Sequence, residues 1–317
     1  MNALRIGTRL TSRWTSTNTP RPEMMRSMST IRPVDLPFDK YLPSNGNETD
    51  QPLVILHGLF GMKRNWASLA KAFARDLQRP VYALDLRNHG EAPHVRPMTY
   101  SAMAVDVLEF FRAHSLRNVS LLGHSMGGKV AMCVALDPDL QQDLLTHLIV
   151  ADIAPSKGAL SPEFQRYVEA MKKIEDSKVS TRQEAQQILT PYESDAMTRA
   201  FLLTNLLPAV HDHHHHALKF RVPIDIIGEA IPEIGNFPCE PGEQAWEGPT
   251  IFIKGTRSKY INHHNIPIAE QFFPNMKLRT LDAGHWGMSD HLFTCLFTER
   301  IVLFVSACRE VSRLYLL

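Results

Sequence analysis

An apolar run, Val119-Ser120-Leu121-Leu122, leads into Gly123-His124-Ser125-Met126-Gly127, and a helix-compatible run over residues 129–136 leads out. Few arrangements satisfy that order. A strand that ends in Gly-x-Ser-x-Gly and resumes as a helix must turn within a few residues, which lifts the serine above the sheet edge in a strained conformation. Gly123 and Gly127 fit because the neighbours of such a serine must lack side chains for strand and helix to approach. Any apolar strand followed by a glycine-rich turn carries similar letters with no chemistry. The rest of the chain has to separate the two readings.

It offers a sheet. Leu53-Val54-Ile55-Leu56, residues 81–84 and residues 148–151 are short and apolar throughout, the pattern of strands covered on both faces. Residues 65–77 and 100–114 between them have helical spacing, with Ala104, Val107, Leu108 and Phe111 on one face of the second. Such alternation predicts an α/β fold, a mostly parallel, doubly wound sheet with ligands held at the strands' carboxyl ends. Residues 33–52 read as a leading strand or hairpin. From residue 155 to 247 the strand signal disappears, and 163–174, 181–189 and 195–206 read as helices, so a helical lid is inserted after the sixth strand. Strands resume at 250–254 and 277–281, and a closing helix is expected over 292–308. The core is therefore assigned to 33–154 and 248–308, the lid to 155–247 and a tail to 309–317.

The chain has 317 residues, 44% hydrophobic and 21% charged, with net charge +1, so no global basic field argues for nucleic acid. The charge is uneven. Residues 1–32 hold six arginines against one acid, Glu23, are rich in Ser and Thr, and lack a continuous apolar core. That composition fits a mitochondrial transit peptide or disordered leader rather than a secretory signal, and places the protein in the matrix. The four cysteines, Cys133, Cys239, Cys295 and Cys308, show no ligand spacing, consistent with a reducing compartment. No run reaches the ~18–20 apolar residues that span a bilayer. The run His211-Asp212-His213-His214-His215-His216 cannot turn all its rings to one metal from regular structure, so it reads as a solvated stretch of the lid, and no metal is expected.

A serine hydroxyl needs a base to become a nucleophile, and the base needs an orienting acid. On such a sheet these follow later strands in the order Ser, Asp or Glu, His. His285 follows the strand at 277–281 within Gly284-His285-Trp286-Gly287 and is the expected base. The loop after 250–254, Gly255-Thr256-Arg257-Ser258-Lys259-Tyr260, contains no carboxylate. Asp152, which ends the run 148–151, is therefore taken as the acid, with Ser258 as its hydrogen-bond partner and Asp282 as runner-up. The oxyanion formed on attack requires backbone N–H donors, for which Met126, at the start of its helix, and Leu59, after the first apolar run, are chosen. His57 and His124 are expected to orient these loops, and Asp85 and Arg87 to brace theirs.

Taken in order, His57-Gly-Leu-Phe-Gly61, Asp85-Leu-Arg-Asn-His-Gly90, Gly123-His-Ser-Met-Gly-Gly-Lys129, Val150-Ala-Asp-Ile-Ala-Pro155, Phe220-Arg-Val-Pro223 and Gly284-His-Trp286 make the chain similar to the α/β-hydrolase superfamily over about residues 33–308. Within it, the chain resembles the mitochondrial group of animal abhydrolase domain-containing protein 11 and the fungal ethanol acetyltransferases, with bacterial YbfF-type esterases as relatives. Glu91-Ala92 departs from the more usual Asp-Ser. The resemblance implies Asp152 as the acid, a Ser125–Asp152–His285 triad, and hydrolysis of a small carboxylic ester or thioester without a cofactor. It also implies an alternative, acetyl transfer from acetyl-CoA to ethanol by the same triad. A rival of another class is a non-catalytic binding partner of matrix enzyme complexes, against which the intact triad argues.

Overall fold

The structure is a computed structural model and describes residues 31–48, 50–207 and 217–285. Seven strands form one sheet: β1 (Phe38–Tyr41), β2 (Leu53–Leu56), β3 (Val81–Leu84), β4 (Val119–His124), β5 (Leu145–Ala151), and, after an insert that holds β6 (Leu206–Leu207) and β7 (Lys219–Phe220), β8 (Thr250–Gly255) and β9 (Met276–Leu281). Their spatial order is β1-β3-β2-β4-β5-β8-β9, with β1 antiparallel to β3 and every other pair parallel.

Side chains alternate across each strand, and β2 and β3 are covered on both faces, which explains why these two runs are apolar throughout. Leu53 and Ile55 of β2, with Val81, Ala83 and Leu122, meet helix α1 (Ala67–Leu77) through Leu69, Ala70, Phe73 and Ala74. Val54, Leu56, Leu121 and Val150 face the other way, into a core shared with α2 (Tyr100–Ala113) and α3 (Met126–Ala135). All ten residues of α3 are buried, so the helix leaving the Gly-x-Ser-x-Gly turn runs through the interior. Register pairs Leu56 with Gly123, His124 with Ala151, and Gly255 with Leu281. The loops after β2, β4, β5, β8 and β9 consequently emerge at one edge.

The insert between β5 and β8 contains α4 (Pro162–Asp176), α5 (Arg182–Leu189), α6 (Ala196–Leu202), a 3₁₀ turn (Leu203–Asn205), the short antiparallel pair β6 and β7, and α7 (Ile224–Gly235). Helix α8 (Ile266–Phe272) lies between β8 and β9. Three expectations change. The leading segment, expected as a strand or hairpin, is one strand, so five strands of the sheet, not six, precede the insert. The insert is not wholly helical, because β6 and β7 close on each other within it. It also holds a helix, α7, that periodicity did not reveal. Pro232 lies inside α7 and removes an amide from its ladder, which reads locally as a break. The closing helix expected over 292–308, the tail 309–317, the leader 1–30 and the His211–His216 run lie outside the described residues.

The insert is tied to the helix that carries the serine. Lys129 of α3, 3% exposed, sends its ammonium to the carbonyls of Gly235 and Asn236 at 2.8 Å each and to Ser156 at 3.1 Å. It therefore caps the carboxyl end of α7, where a helix favours a cation, and holds the entry to the insert as well. Burial lowers its pKa to about 8, which leaves it charged near neutral pH. The Tyr100 hydroxyl adds a 2.7 Å bond to the Ile234 carbonyl.

Candidate active site

Ser125 stands between β4 and α3 at φ 51° and ψ −119°, a region that residues with a Cβ avoid. Its amide donates to the Ala151 carbonyl at 3.0 Å, and its own carbonyl accepts from Gly128 and Lys129. The glycine requirement is steric. A Cβ on Gly123 would sit 2.1 Å from the Gly127 carbonyl oxygen, and one on Gly127 would sit 2.5 Å from the carbonyl oxygens of Leu56 and His57. Strand, turn and the neighbouring β2 loop interlock only without those side chains.

Three residues far apart in sequence then form one hydrogen-bonded line. The Ser125 Oγ lies 2.9 Å from His285 Nε2, and His285 Nδ1 lies 2.8 Å from Asp152 Oδ2. A carboxylate accepts, so Nδ1 carries the hydrogen and Nε2 offers its lone pair to the serine hydroxyl. Asp152 has no exposed surface and holds φ 52°. Its second oxygen accepts the Gly255 amide at 2.9 Å, and the Ser258 side chain also hydrogen-bonds its carboxylate. Burial raises the Asp152 pKa, but the bonds from His285, Ser258 and Gly255 outweigh it and the net direction is down. The structure thus brings Ser125, His285, Asp152 and Ser258 together. Asp282 is elsewhere: its carboxylate, on an exposed side chain, meets Thr256 and Arg257 instead.

The other histidines of the edge are spent on backbone. His57 Nε2 accepts the Leu86 amide at 3.0 Å, and its Nδ1 donates to the Gly58 carbonyl at 2.8 Å. His124 Nε2 donates to the His285 carbonyl at 3.1 Å. Burial lowers their pKa values to about 4 and about 3, the latter with help from neighbouring His285, so both are neutral imidazoles that hold loops in place. Asp85 accepts from the amides of Lys63 and Glu91 and from the Lys63 ammonium, and Arg87 forks onto Asp106 at 2.6 and 2.7 Å. Both brace the loop after β3.

Gly58 to Gly61 forms a tight turn closed by the Gly61 amide on the Gly58 carbonyl at 2.9 Å. Leu59 sits in that turn, 4% exposed, beside Ser125 and His285 in a cavity of about 10 Å³. Met126 occupies the first position of α3, where an amide has no acceptor within the helix. Trp66 and the insert residues Phe164 and Phe201 close the cavity from the other sides. Its volume is that of about one water. Among the described residues no group of three or more His, Cys, Asp or Glu side chains is arranged to hold a metal ion.

Sequence reasoning missed Tyr260. Its ring lies 3.9 Å from that of His285 between centroids, tilted by 32°, and its hydroxyl is buried with no partner among the described residues. The only signal was position, in the loop after β8 where an acid was sought. Lys129 was likewise invisible, since its acceptors lie across the insert.

A family model described as alpha/beta hydrolase fold matches residues 51–184. A sn-1-specific diacylglycerol lipase ABHD11 of Xenopus laevis is 36% identical over 82% of this chain and 80% of its own length. A probable alcohol acetyltransferase of Saccharomyces cerevisiae is 34% identical over 86% and 84%. Among solved structures, a marine microorganism esterase superposes with a TM-score of 0.73 at 34% identity, covering 88% of this chain and 99% of that one. With relatives this similar along nearly their whole length, and with the strand order and serine turn described above, the chain belongs to the α/β-hydrolase fold family.

Proposed function

We propose that the protein is a serine-dependent hydrolase of small carboxylic esters or thioesters, acting through an acyl-serine. The observation that carries the reading is the unbroken line Ser125–His285–Asp152, which opens into the small cavity beside Leu59. Ser125 Oγ attacks the acyl carbon while His285 Nε2 takes its proton. The carbonyl oxygen becomes an oxyanion between the Leu59 and Met126 amides, each donor of this kind being worth roughly 10²–10³ in kcat. The tetrahedral adduct collapses, the bond to the alcohol or thiol breaks, and His285 returns the proton to that leaving group. Water, deprotonated by His285, then attacks the acyl-serine, and a second collapse releases the carboxylic acid and restores the serine. Asp152 keeps the imidazole in the tautomer that can accept at Nε2 and stabilises the imidazolium. Neither half of the cycle calls on a cofactor.

The cavity bears on substrate size. A cavity of about 10 Å³ admits an acyl group only as Phe164 and Phe201 give way, and a short chain asks less of them than a long one. Initial rates on p-nitrophenyl esters from acetate to laurate test this: the reading expects acetate or propionate to give the highest kcat/KM, abolished by Ser125→Ala. Wild-type protein inert to every ester, to thioesters and to a fluorophosphonate probe would overturn it.

A second reading has support in the relative named as an alcohol acetyltransferase and in the aromatic residues that line the cavity, which would lessen the access of water to an acyl-serine. An alcohol then replaces water as the second nucleophile, and acetyl-CoA serves as acyl donor. Incubation with acetyl-CoA and ethanol, with ethyl acetate and free acetate both quantified, separates transfer from hydrolysis. We place the protein in the mitochondrial matrix, on the arginine-rich, acid-poor composition of residues 1–32, and a fluorescent fusion of that segment tests the assignment.

A further inference from the structure

We propose that Asn205 of the insert is a positioning residue for the oxyanion hole, a role that rests on the acyl-serine reading above. The turn at Gly58–Gly61 places Phe60 third, at φ 62°. Turns of this form favour glycine there, because a Cβ is strained in the left-handed region. A phenylalanine can stay only if other contacts hold it, and the insert supplies two of them. Its buried ring stacks on Phe164 of α4, with centroids 6.5 Å apart and planes within 18°. Its carbonyl accepts the Asn205 side-chain amide at 2.7 Å.

Asn205 is itself rigidly placed. It has no exposed surface, its backbone carbonyl accepts the Arg221 amide at 2.7 Å, and it ends the 3₁₀ turn that follows α6. Its Oδ1 is buried with no partner among the described residues. An apolar residue of the same shape would avoid that cost, so the useful part of the side chain is the N–H that reaches Phe60. Leu59, whose amide the acyl-serine reading assigns to the oxyanion, is one residue before the carbonyl that Asn205 holds. The insert therefore completes the catalytic geometry as it docks, and an undocked insert leaves the turn free to relax and the Leu59 amide misaimed.

The test compares wild type with Asn205→Leu and Asn205→Asp. Leucine matches the shape, and the orphan acceptor it removes offsets the Phe60 carbonyl it leaves without a donor, so the variant should fold with a Tm close to wild type. Its kcat on p-nitrophenyl acetate should fall about tenfold or more, with KM within twofold and the pH–rate profile unmoved, because the lost alignment matters only in the transition state. Affinity for a boronic acid, which forms a tetrahedral adduct on the serine, should fall in parallel. In Asn205→Asp the neutral carboxyl can still donate to Phe60 and the ionised one cannot, so this variant should gain a new ionisation, active at low pH and impaired above it. Wild-type kcat in Asn205→Leu overturns the proposal, as does a lowered kcat with unchanged boronate affinity. If Asn205→Leu does not fold, the absence of a new ionisation in Asn205→Asp does the same. Wild-type protein that reacts with no ester and no fluorophosphonate would instead overturn the acyl-serine reading itself.

Discussion

The sharpest perturbation is Asp152→Asn, since it keeps shape and changes only what the side chain can donate. One oxygen of Asp152 accepts the His285 Nδ1 hydrogen at 2.8 Å, and the other accepts the Gly255 amide at 2.9 Å, with Ser258 also bonded to the group. An asparagine in this place keeps its single oxygen toward Gly255 and so turns its NH₂ toward His285. The imidazole must then accept at Nδ1 and carry its hydrogen on Nε2, which points at Ser125 and can no longer take its proton. An inverted tautomer of this kind costs about 10⁴ in kcat, or about 5.5 kcal/mol of transition-state stabilisation. The assay is kcat/KM on p-nitrophenyl acetate between pH 6 and 9, with circular dichroism to establish that the fold persists. A fall of less than about tenfold would refute the argument, because it would show that Asp152 does not set the tautomer. The same substitution reports on stability. The Asp152 pKa is lowered in the fold, so its contribution is present above the unfolded carboxylate range and is lost as pH falls through the folded value. Urea unfolding of wild type should weaken across that acidic window, and the Asp152→Asn variant should lack this part of the slope.

Three further outcomes follow from contacts around that line. Lys129→Met leaves the Gly235 carbonyl buried without its donor and frees those of Ser156 and Asn236, and should cost about 1–3 kcal/mol in urea unfolding while loosening the insert to proteolysis. Gly127→Ala forces a Cβ to 2.5 Å from two backbone carbonyl oxygens, so the chain should either fail to fold or lose at least about 100-fold in kcat; near-normal activity would disprove the interlock. Tyr260→Phe removes a buried, unpartnered hydroxyl and should leave kcat unchanged with Tm equal or higher, whereas Tyr260→Ala, which strips the ring from His285, should lower kcat about tenfold.

What could be read in advance was whatever depends on local pattern and strand polarity. Ser125, Asp152 and His285 each follow the end of a strand, and parallel strands bring such ends to one edge, so their meeting could be argued without a structure. Asp152 was favoured over the next loop for a compositional reason, the absence of any carboxylate in residues 254–261, and Ser258 does bond it. The insert resisted the same approach. Asn205 reaches Phe60 across 145 positions and Lys129 reaches Gly235 across 106, and neither pairing leaves a periodic trace. Helix α7 was hidden by its own proline, and the two-residue strands β6 and β7 are too short to show alternation.

Backbone strain draws the boundary between these two kinds of information. Several non-glycine residues with positive φ are ordinary: Gln78 ends helix α1 in the left-handed region, and Ser115 and Lys178 lie in turns just past the ends of α2 and α4. Phe60, Ser125 and Asp152 differ. They stand at φ 62°, 51° and 52° in the loops after β2, β4 and β5, where aromatic, hydroxyl and carboxylate side chains gain nothing locally from that conformation. Each is held by a partner remote in sequence. Asn205 holds the carbonyl of Phe60, the Ala151 carbonyl holds the amide of Ser125, and Ile253 of β8 holds that of Asp152. The sheet supplies two of these restraints and the insert the third. At Phe60, Ser125 and Asp152 local preference and global structure disagree, the pattern expected where function is maintained against propensity. The conformations of Ser125 and Asp152 are thus held from the sheet, while the Phe60 carbonyl is held from the insert. Substitutions in β5 or β8 should therefore act through the proton relay and its pH profile, and substitutions in the 3₁₀ turn should act through kcat at constant pH profile.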